Sequence, residues 1–289
     1  MRCDLHTHTN HSDGSYTPAE LVAEAKKLNI IIALTDHNTV TGLPEFLREA
    51  ERQGVAAIGG TELSTEHEGR EFHLIGLFID PEHYERVERL CAEFIRLKEY
   101  SNIALCNKLR ESGYDIDYAE VKARNIKGNA NRAHIAAELM KKGYVSSVQE
   151  AFERLLDEKK GLYTPPPRLQ LTYAIGFLRE IGALPILAHP IKEISPERLR
   201  EILPELIDAG LVGIETMHSS YSEEGIARVK QIADEFGLLE SGGSDFHGGV
   251  KPVVNLATGK GNLNISSDVY LALKNRRDFI NRQKKEGRI

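Results

Sequence analysis

The chain of 289 residues contains no tryptophan, and aromatic residues make up only 7% of it. That scarcity argues against a base-stacking sheet for single-stranded nucleic acid and against a lectin-like aromatic face. A basic surplus is missing as well: 37 Lys and Arg face 43 Asp and Glu, for a formal net charge of −6. Proteins that bind long polyanions usually carry a basic domain, so a nucleic-acid duplex is not an expected partner. A phosphorylated substrate would have to be held locally, by metal ions or a few basic side chains. The three cysteines, Cys3, Cys91 and Cys106, are odd in number and widely spaced, which fits neither a disulfide frame nor a zinc finger. They read as buried small hydrophobes in a reducing, cytoplasmic protein. The opening stretch MRCDLHTHTNHSDG has no apolar run, so no signal peptide is expected. The longest apolar runs, such as 30–34, are too short to cross a bilayer, so no membrane is expected as a partner. No heptad seam is visible, so monomer and small oligomer both stay open.

Apolar residues account for 41% of the chain, enough for one large core. Short β-rich runs at 2–6, 30–35, 55–59, 71–79, 184–188, 212–216 and 239–243 alternate with helical patterns. Such alternation predicts parallel β/α units. Thr17-Pro18-Ala19-Glu20 is a capping box with proline in the first helical turn. The run 44–53 followed by Gly54 reads as a helix with its terminal glycine. Further helices are expected from Ser195-Pro196-Glu197 and over 222–236. The rhythm breaks between about Pro81 and Pro167, where helical runs at 81–112, 131–142 and 146–159 lead into the stiff linker Thr164-Pro165-Pro166-Pro167. Residues 98–166 are therefore read as a helical insertion capping the substrate, and 1–97 with 167–289 as the barrel. The basic stretch 275–288 reads as a solvated last helix.

Eleven histidines are present, and six of them (His6, His8, His37, His73, His189 and His247) fall within or just after an expected strand. In a β/α barrel the strand ends carry the chemistry. His6 and His8 are two apart and point to the same side of a strand; Asp4 shares their parity and could orient a ligand from behind. Asp13 lies in the turn that follows. His37 follows the second strand, and Glu62 the third, where a carboxylate can bridge two metals as a neutral imidazole cannot. His73 sits in an apolar strand, His189 at a strand end, and Asp245 and His247 repeat the two-residue spacing beside a glycine-rich turn. Each position alone is as readily a turn residue or a satisfied buried polar group. Together the nine make a mixed histidine and carboxylate set that suits Mn²⁺, Fe²⁺ or Zn²⁺ rather than Ca²⁺. They are too many for one ion.

These residues, in DLHTHTNHSDG (4–14), LTDHNT (34–39), GTELS (60–64), FHLIG (72–76), AHP (188–190) and GGSDFHG (242–248), resemble the PHP (polymerase and histidinol phosphatase) family of metallophosphoesterases. The resemblance covers almost the whole chain. It implies a distorted (β/α)₇ barrel and three metal ions, Mn, Fe or Zn. One ion would take His6, His8, Glu62 and Asp245, a second Glu62, His73 and His189, and a third Asp13, His37 and His247. A narrower likeness, carried by NANRAHIAAELMKKGYVSSVQEAFERLL (129–156) and TPPPR, is to members with a helical insertion that act on nucleotides. It implies that Arg132 and His134 reach toward substrate phosphate, although the family's Gly-Arg-Pro-His is Asn131-Arg132-Ala133-His134 here.

The resemblance implies hydrolysis of nucleotide phosphomonoesters, of the AMP or nucleoside 3′,5′-bisphosphate type, and of short RNA in the 5′→3′ direction. A metal-bridging hydroxide would attack, with Asp13, His37, Glu62, His189, Asp245 and His247 at the reacting centre. His218 follows the sixth strand and is a candidate to protonate the leaving group, set against an ordinary surface histidine; Lys192 is a further candidate for phosphate. His11, His67 and His83 read as surface residues. A histidinol-phosphatase-like activity, an amidohydrolase-type C–N hydrolase and an inactive metal-binding domain stay open.

Overall fold

A computed structural model of the chain describes residues 1–124 and 130–286. Asn129, at the head of the stretch quoted for the narrower likeness, and Arg288, at the end of the basic tail, lie outside the described residues. Two compact units emerge: Met1–Glu88 with Leu169–Ile289, and Arg89–Arg168.

The first unit is built on a seven-stranded sheet in which spatial order follows chain order: β1 (Arg2–Asp4), β2 (Ile30–Leu34), β3 (Ala57–His67), β4 (Arg70–Leu77), β5 (Leu184–Leu187), β6 (Gly213–His218) and β7 (Leu239–Gly243). Beyond β1 and β7 the backbone continues to pair. The Leu5 N–H donates to the Gly242 carbonyl at 3.1 Å and the His8 N–H to the Phe246 carbonyl at 2.9 Å, so the sheet curls into a nearly closed barrel. Gly243 is required at this seam, because a Cβ there would stand 2.5 Å from the His6 backbone nitrogen. Inward side chains from the strands fill the barrel, among them Cys3, Leu5, Ile31, Ala33, Ile75, Leu77 and Ile186.

The expectation of uniformly parallel pairing needs correcting at the middle of the sheet. β3 pairs with β4 and β4 with β5 in antiparallel register, while the other pairs are parallel. The cause is a tight hairpin. Glu68 and Gly69 both take positive φ, 51° and 75°, the geometry that matches the twist of the flanking strands. β3 accordingly runs on to His67, well past the expected 55–59, and carries Glu62 in mid-strand rather than after it.

Local signals govern the helices. Thr17 and Glu20 form the expected capping box on Pro18–Leu28. Gly54 ends Leu43–Gln53 in the left-handed conformation. Pro196–Asp208 opens on the Ser195 hydroxyl, which accepts from the Arg198 N–H. The long helix Tyr84–Glu111 begins in the first unit and continues into the second.

The second unit has its own core of Leu105, Leu109, Ile116, Ile135, Leu139, Leu156 and Tyr163. Arg132 opens the helix Arg132–Lys141. Its guanidinium lies 4.1 Å from the centre of the Tyr163 ring and donates to the Leu156 carbonyl at 3.2 Å. His134 Nδ1 accepts the Asn131 N–H at 3.1 Å, closing a cap in which the Asn131 side chain accepts from the His134 N–H. All three cysteines are buried and in no disulfide, and burial pushes the Cys3 thiol up to about 12. No described helix is long and apolar enough to cross a membrane.

Candidate metal centre

The strand ends of the first unit converge on one carboxylate. Glu62, fully buried, has five imidazoles around its two oxygens. Oε2 lies 3.0 Å from His6 Nε2, 3.2 Å from His8 Nε2 and 3.2 Å from His37 Nδ1. Oε1 lies 2.8 Å from His73 Nδ1 and 3.1 Å from His189 Nε2. These residues come from four strands and the loops after them, so only the closed sheet brings them together.

Asp245 and Asp13 extend the cluster. Asp245 Oδ1 is 3.7 Å from His6 Nε2, 3.4 Å from His8 Nε2 and 3.4 Å from His247 Nδ1. Asp13 Oδ1 is 3.2 Å from His247 Nε2 and 3.8 Å from His8 Nδ1, and its Oδ2 is 3.9 Å from His37 Nε2. All nine residues singled out in the sequence thus lie in one contiguous cluster. His189 and Asp245 both have positive φ, 29° and 58°. Such backbone costs about 1–3 kcal/mol and persists only where its surroundings hold it.

Several of these donors are buried and close, yet make no hydrogen bond. His6 Nε2, both ring nitrogens of His8, His37 Nδ1, Glu62 Oε2 and His247 Nε2 are all unpartnered. Buried polar atoms are ordinarily satisfied, so a group of them at 3.0–3.2 Å from one another fits metal ions that they would share. His247 makes the case sharply. Its Nδ1 is 2.8 Å from the Asp245 carbonyl, which can only accept. The neutral ring therefore presents a bare Nε2 to the Asp13 carboxylate at 3.2 Å, two acceptors face to face. Among the described residues, ligand atoms within 4.8 Å of one another fall into four groups: His8, Asp13, His37 and His247; His6, His8 and Asp245; His37, Glu62 and His73; and His6, Glu215 and His218.

The electrostatics follow from that crowding. Burial disfavours charge on His6, yet the Glu62 and Glu215 carboxylates outweigh it and hold its pKa well above the ordinary value. His73 is likewise desolvated, but its contacts with Glu62 and Glu71 raise it to about 9. Burial wins at His37, which drops to about 3, and it also lowers His189. Burial penalises the charge on Glu62, but His6 and His37 hold that carboxyl well below the usual carboxylate range.

The remaining sequence candidates divide. His218 is 1% exposed, not a surface residue; its Nε2 lies 3.6 Å from Asp245 Oδ2. The apolar strand β6 carries it inside. Lys192 is exposed. Arg132 and His134 are engaged within the second unit, as described above. His67, expected at the surface, is buried near Glu205 at 3.7 Å. Asp4 holds the ligands through backbone, accepting the His6 N–H at 3.4 Å. Its carboxylate accepts from the Ser244 hydroxyl at 2.6 Å and from the Ser244 and Ala257 N–H groups at 2.9 and 2.8 Å, tying down the loop that carries Asp245.

Sequence reasoning passed over Glu215 and Lys251. Glu215 Oε1 receives His6 Nδ1 at 3.0 Å. Asp36 accepts from the Thr9 N–H at 2.7 Å and the Thr9 and Ser12 hydroxyls at 2.6 Å, shaping the loop between His8 and Asp13. Lys251 Nζ is 2.8 Å from Asp245 Oδ2. Glu215 stands in an apolar strand run, a signal that was present but unread.

Known proteins are similar to this chain over most of their length. A 5′-3′ exoribonuclease of Haemophilus influenzae is 32% identical over 84% of this chain and 89% of its own. A phosphoribosyl 1,2-cyclic phosphate 1,2-diphosphodiesterase of Eggerthella lenta is 30% identical over 85% of this chain and 94% of its own. Among solved structures, a Bifidobacterium adolescentis protein assigned as a metal-dependent phosphoesterase superposes with a TM-score of 0.72 at 29% identity, covering 95% of this chain and 96% of that one. The PHP domain family matches residues 4–163, more than half of the sequence, a span that holds His6, His8, Asp13, His37, Glu62 and His73. On that match and those relatives, the chain belongs to the PHP domain family.

Proposed function

We propose that this chain is a metal-dependent phosphoesterase that releases phosphate from nucleotides, of the AMP or nucleoside 3′,5′-bisphosphate type, and that also trims short RNA in the 5′→3′ direction. The observation that carries the reading is the buried Glu62 carboxylate ringed by five imidazoles. Three ions, Mn, Fe or Zn, would be held by His6, His8, Glu62 and Asp245; by Glu62, His73 and His189; and by Asp13, His37 and His247. When bound, such ions supply Lewis acidity toward phosphoryl oxygens and a water that ionises near neutral pH.

The chain's own residues do the rest. Glu62 offers one oxygen to each of two ligand groups. The Asp245 and Asp13 carboxylates would balance the charge of the bound cations. His218 is oriented as a donor: its Nδ1 accepts the Ser220 N–H at 3.2 Å, so the neutral ring carries its hydrogen on Nε2, inside the cluster. That hydrogen can donate a hydrogen bond to a leaving alkoxide, which then takes its proton from water.

The test is phosphate release by the full chain with Mn²⁺, over AMP, adenosine 3′,5′-bisphosphate, a short 5′-phosphorylated RNA, a cyclic phosphodiester and histidinol phosphate. The proposal expects the nucleotides to outrun histidinol phosphate and the activity to disappear in Glu62→Gln. Release that persists in that variant, or none from any substrate with metal bound, overturns it.

A further inference from the structure

The carboxylate of Glu215 has no part in the nine-residue set, yet it is fully buried against that set. Its two oxygens take two different tasks. Oε1 accepts from His6 Nδ1 at 3.0 Å, and Oε2 accepts the backbone N–H of His189 at 2.8 Å. An ionised carboxylate can only accept, so His6 carries a hydrogen on Nδ1, and the neutral ring keeps its lone pair on Nε2. Nε2 is the atom that stands 3.0 Å from Glu62. His189 holds an unfavourable left-handed backbone, φ 29° and ψ 48°, immediately before Pro190. Its N–H is fixed by Glu215 while its side-chain Nε2 reaches the other Glu62 oxygen at 3.1 Å.

We propose that Glu215 is the positioning residue of the metal centre: by binding His6 Nδ1 and the His189 N–H at once, it sets the tautomer of one ligand and the backbone turn of another on opposite oxygens of Glu62. The inference rests on the metal-centre reading of this cluster, but not on the choice of substrate. β6 delivers Glu215 from the sheet interior, between β5, which carries His189 at its end, and β7. A carboxylate is needed because two N–H donors must be met. A glutamine offers one acceptor oxygen and an amide NH₂, so it can satisfy only one of them.

The experiment measures Mn²⁺ binding to the full-length chain by equilibrium dialysis, without substrate. Glu215→Gln is expected to bind Mn²⁺ about 10–100-fold more weakly, the usual cost of losing a group that orients a metal ligand. Thr216→Val is the control. Thr216 sits next to Glu215 on β6 but faces Glu240 at 2.8 Å, so it disturbs the strand without touching the cluster, and its Mn²⁺ affinity should be that of the parent chain. Should Glu215→Gln fail to fold by circular dichroism, Glu215→Asp takes its place. It keeps the charge but is one methylene short of spanning both donors, and should also weaken binding. Parent-like affinity in the folded Gln or Asp variant, or equal weakening in Thr216→Val, overturns the proposal. If the parent chain binds Mn²⁺ but releases no phosphate, the phosphoesterase reading falls while this result stands.

Discussion

Lys251 Nζ lies 2.8 Å from Asp245 Oδ2, an ammonium held against a carboxylate that also faces His6 and His8. An ion bound by Asp245 must compete with that ammonium. The Lys251 side chain is 39% exposed, so the pair is worth at most about 1 kcal/mol. Lys251→Gln is therefore expected to tighten Mn²⁺ binding by up to about fivefold at low salt, and less at high salt. With metal in place the ammonium is free to meet substrate phosphate, so the same variant should show a raised KM. Titration of Mn²⁺ and steady-state kinetics read the two effects separately. Weaker metal binding in the variant would count against the competition.

The balance between protons and metal at His73 gives a pH prediction. In the metal-free chain its pKa is raised from 6.5 to about 9, because contacts with Glu62 and Glu71 outweigh desolvation. A histidine whose pKa is raised by folding contributes stability that is fully present below its unfolded pKa. That contribution is lost as pH climbs through about 9. Metal acts in the opposite sense, since a ligating imidazole must first give up its proton. The gap in Tm between the Mn²⁺-loaded and metal-free chain should thus widen steadily between about pH 6 and pH 9. Metal binding near neutral pH should release protons. A gap that is flat or narrows over that range would show that His73 does not exchange a proton for metal.

Much of this site was legible because it rests on residue types with few other uses at strand ends. His6 and His8, Glu62, His73, His189, and Asp245 with His247 are spaced by the barrel's own rhythm, and the closed sheet turns sequence order into spatial neighbourhood. The antiparallel middle was less legible, since the alternation of β and α hides a hairpin whose only mark is Glu68-Gly69. Glu215 and His218 were harder for another reason. Their strand, Gly213–His218, is wholly buried, and periodicity cannot tell which inward polar residue meets which ring. Asp4 was legible as a residue behind a ligand, but its partners Ser244 and Ala257 were not, since they lie 240 and 253 residues away in the chain.

Arg132 illustrates how a residue suspected of binding phosphate can be tied to packing. Its guanidinium stacks on Tyr163 at 4.1 Å and donates to the Leu156 carbonyl. Arg132→Ala should destabilise the Arg89–Arg168 unit by about 1–2 kcal/mol, from cation–π contacts with Tyr163 and Phe152 and one hydrogen bond. Arg132→Lys keeps the charge but loses the planar stack, and should recover only part of the loss. Thermal unfolding followed by circular dichroism reads this directly. An unchanged melt in Arg132→Ala would mean that the stack contributes nothing.

His218 offers the sharpest separation of roles, because a ligand and a donor need opposite tautomers. The Ser220 N–H points at Nδ1, which leaves the hydrogen of the neutral ring on Nε2 and that nitrogen unable to ligate without first losing it. His218→Asn should therefore leave the number of bound Mn²⁺ ions unchanged while lowering kcat by about 10²–10³-fold, the usual range for loss of a hydrogen-bond donor to a developing oxyanion. The loss should depend on the leaving group. A nucleotide, whose alkoxide needs that hydrogen bond, should suffer the full effect, whereas an aryl phosphate with an acidic phenol should be nearly spared. If the variant loses an ion, or if both substrates slow equally, His218 is a ligand or a packing residue and another group donates to the leaving oxygen.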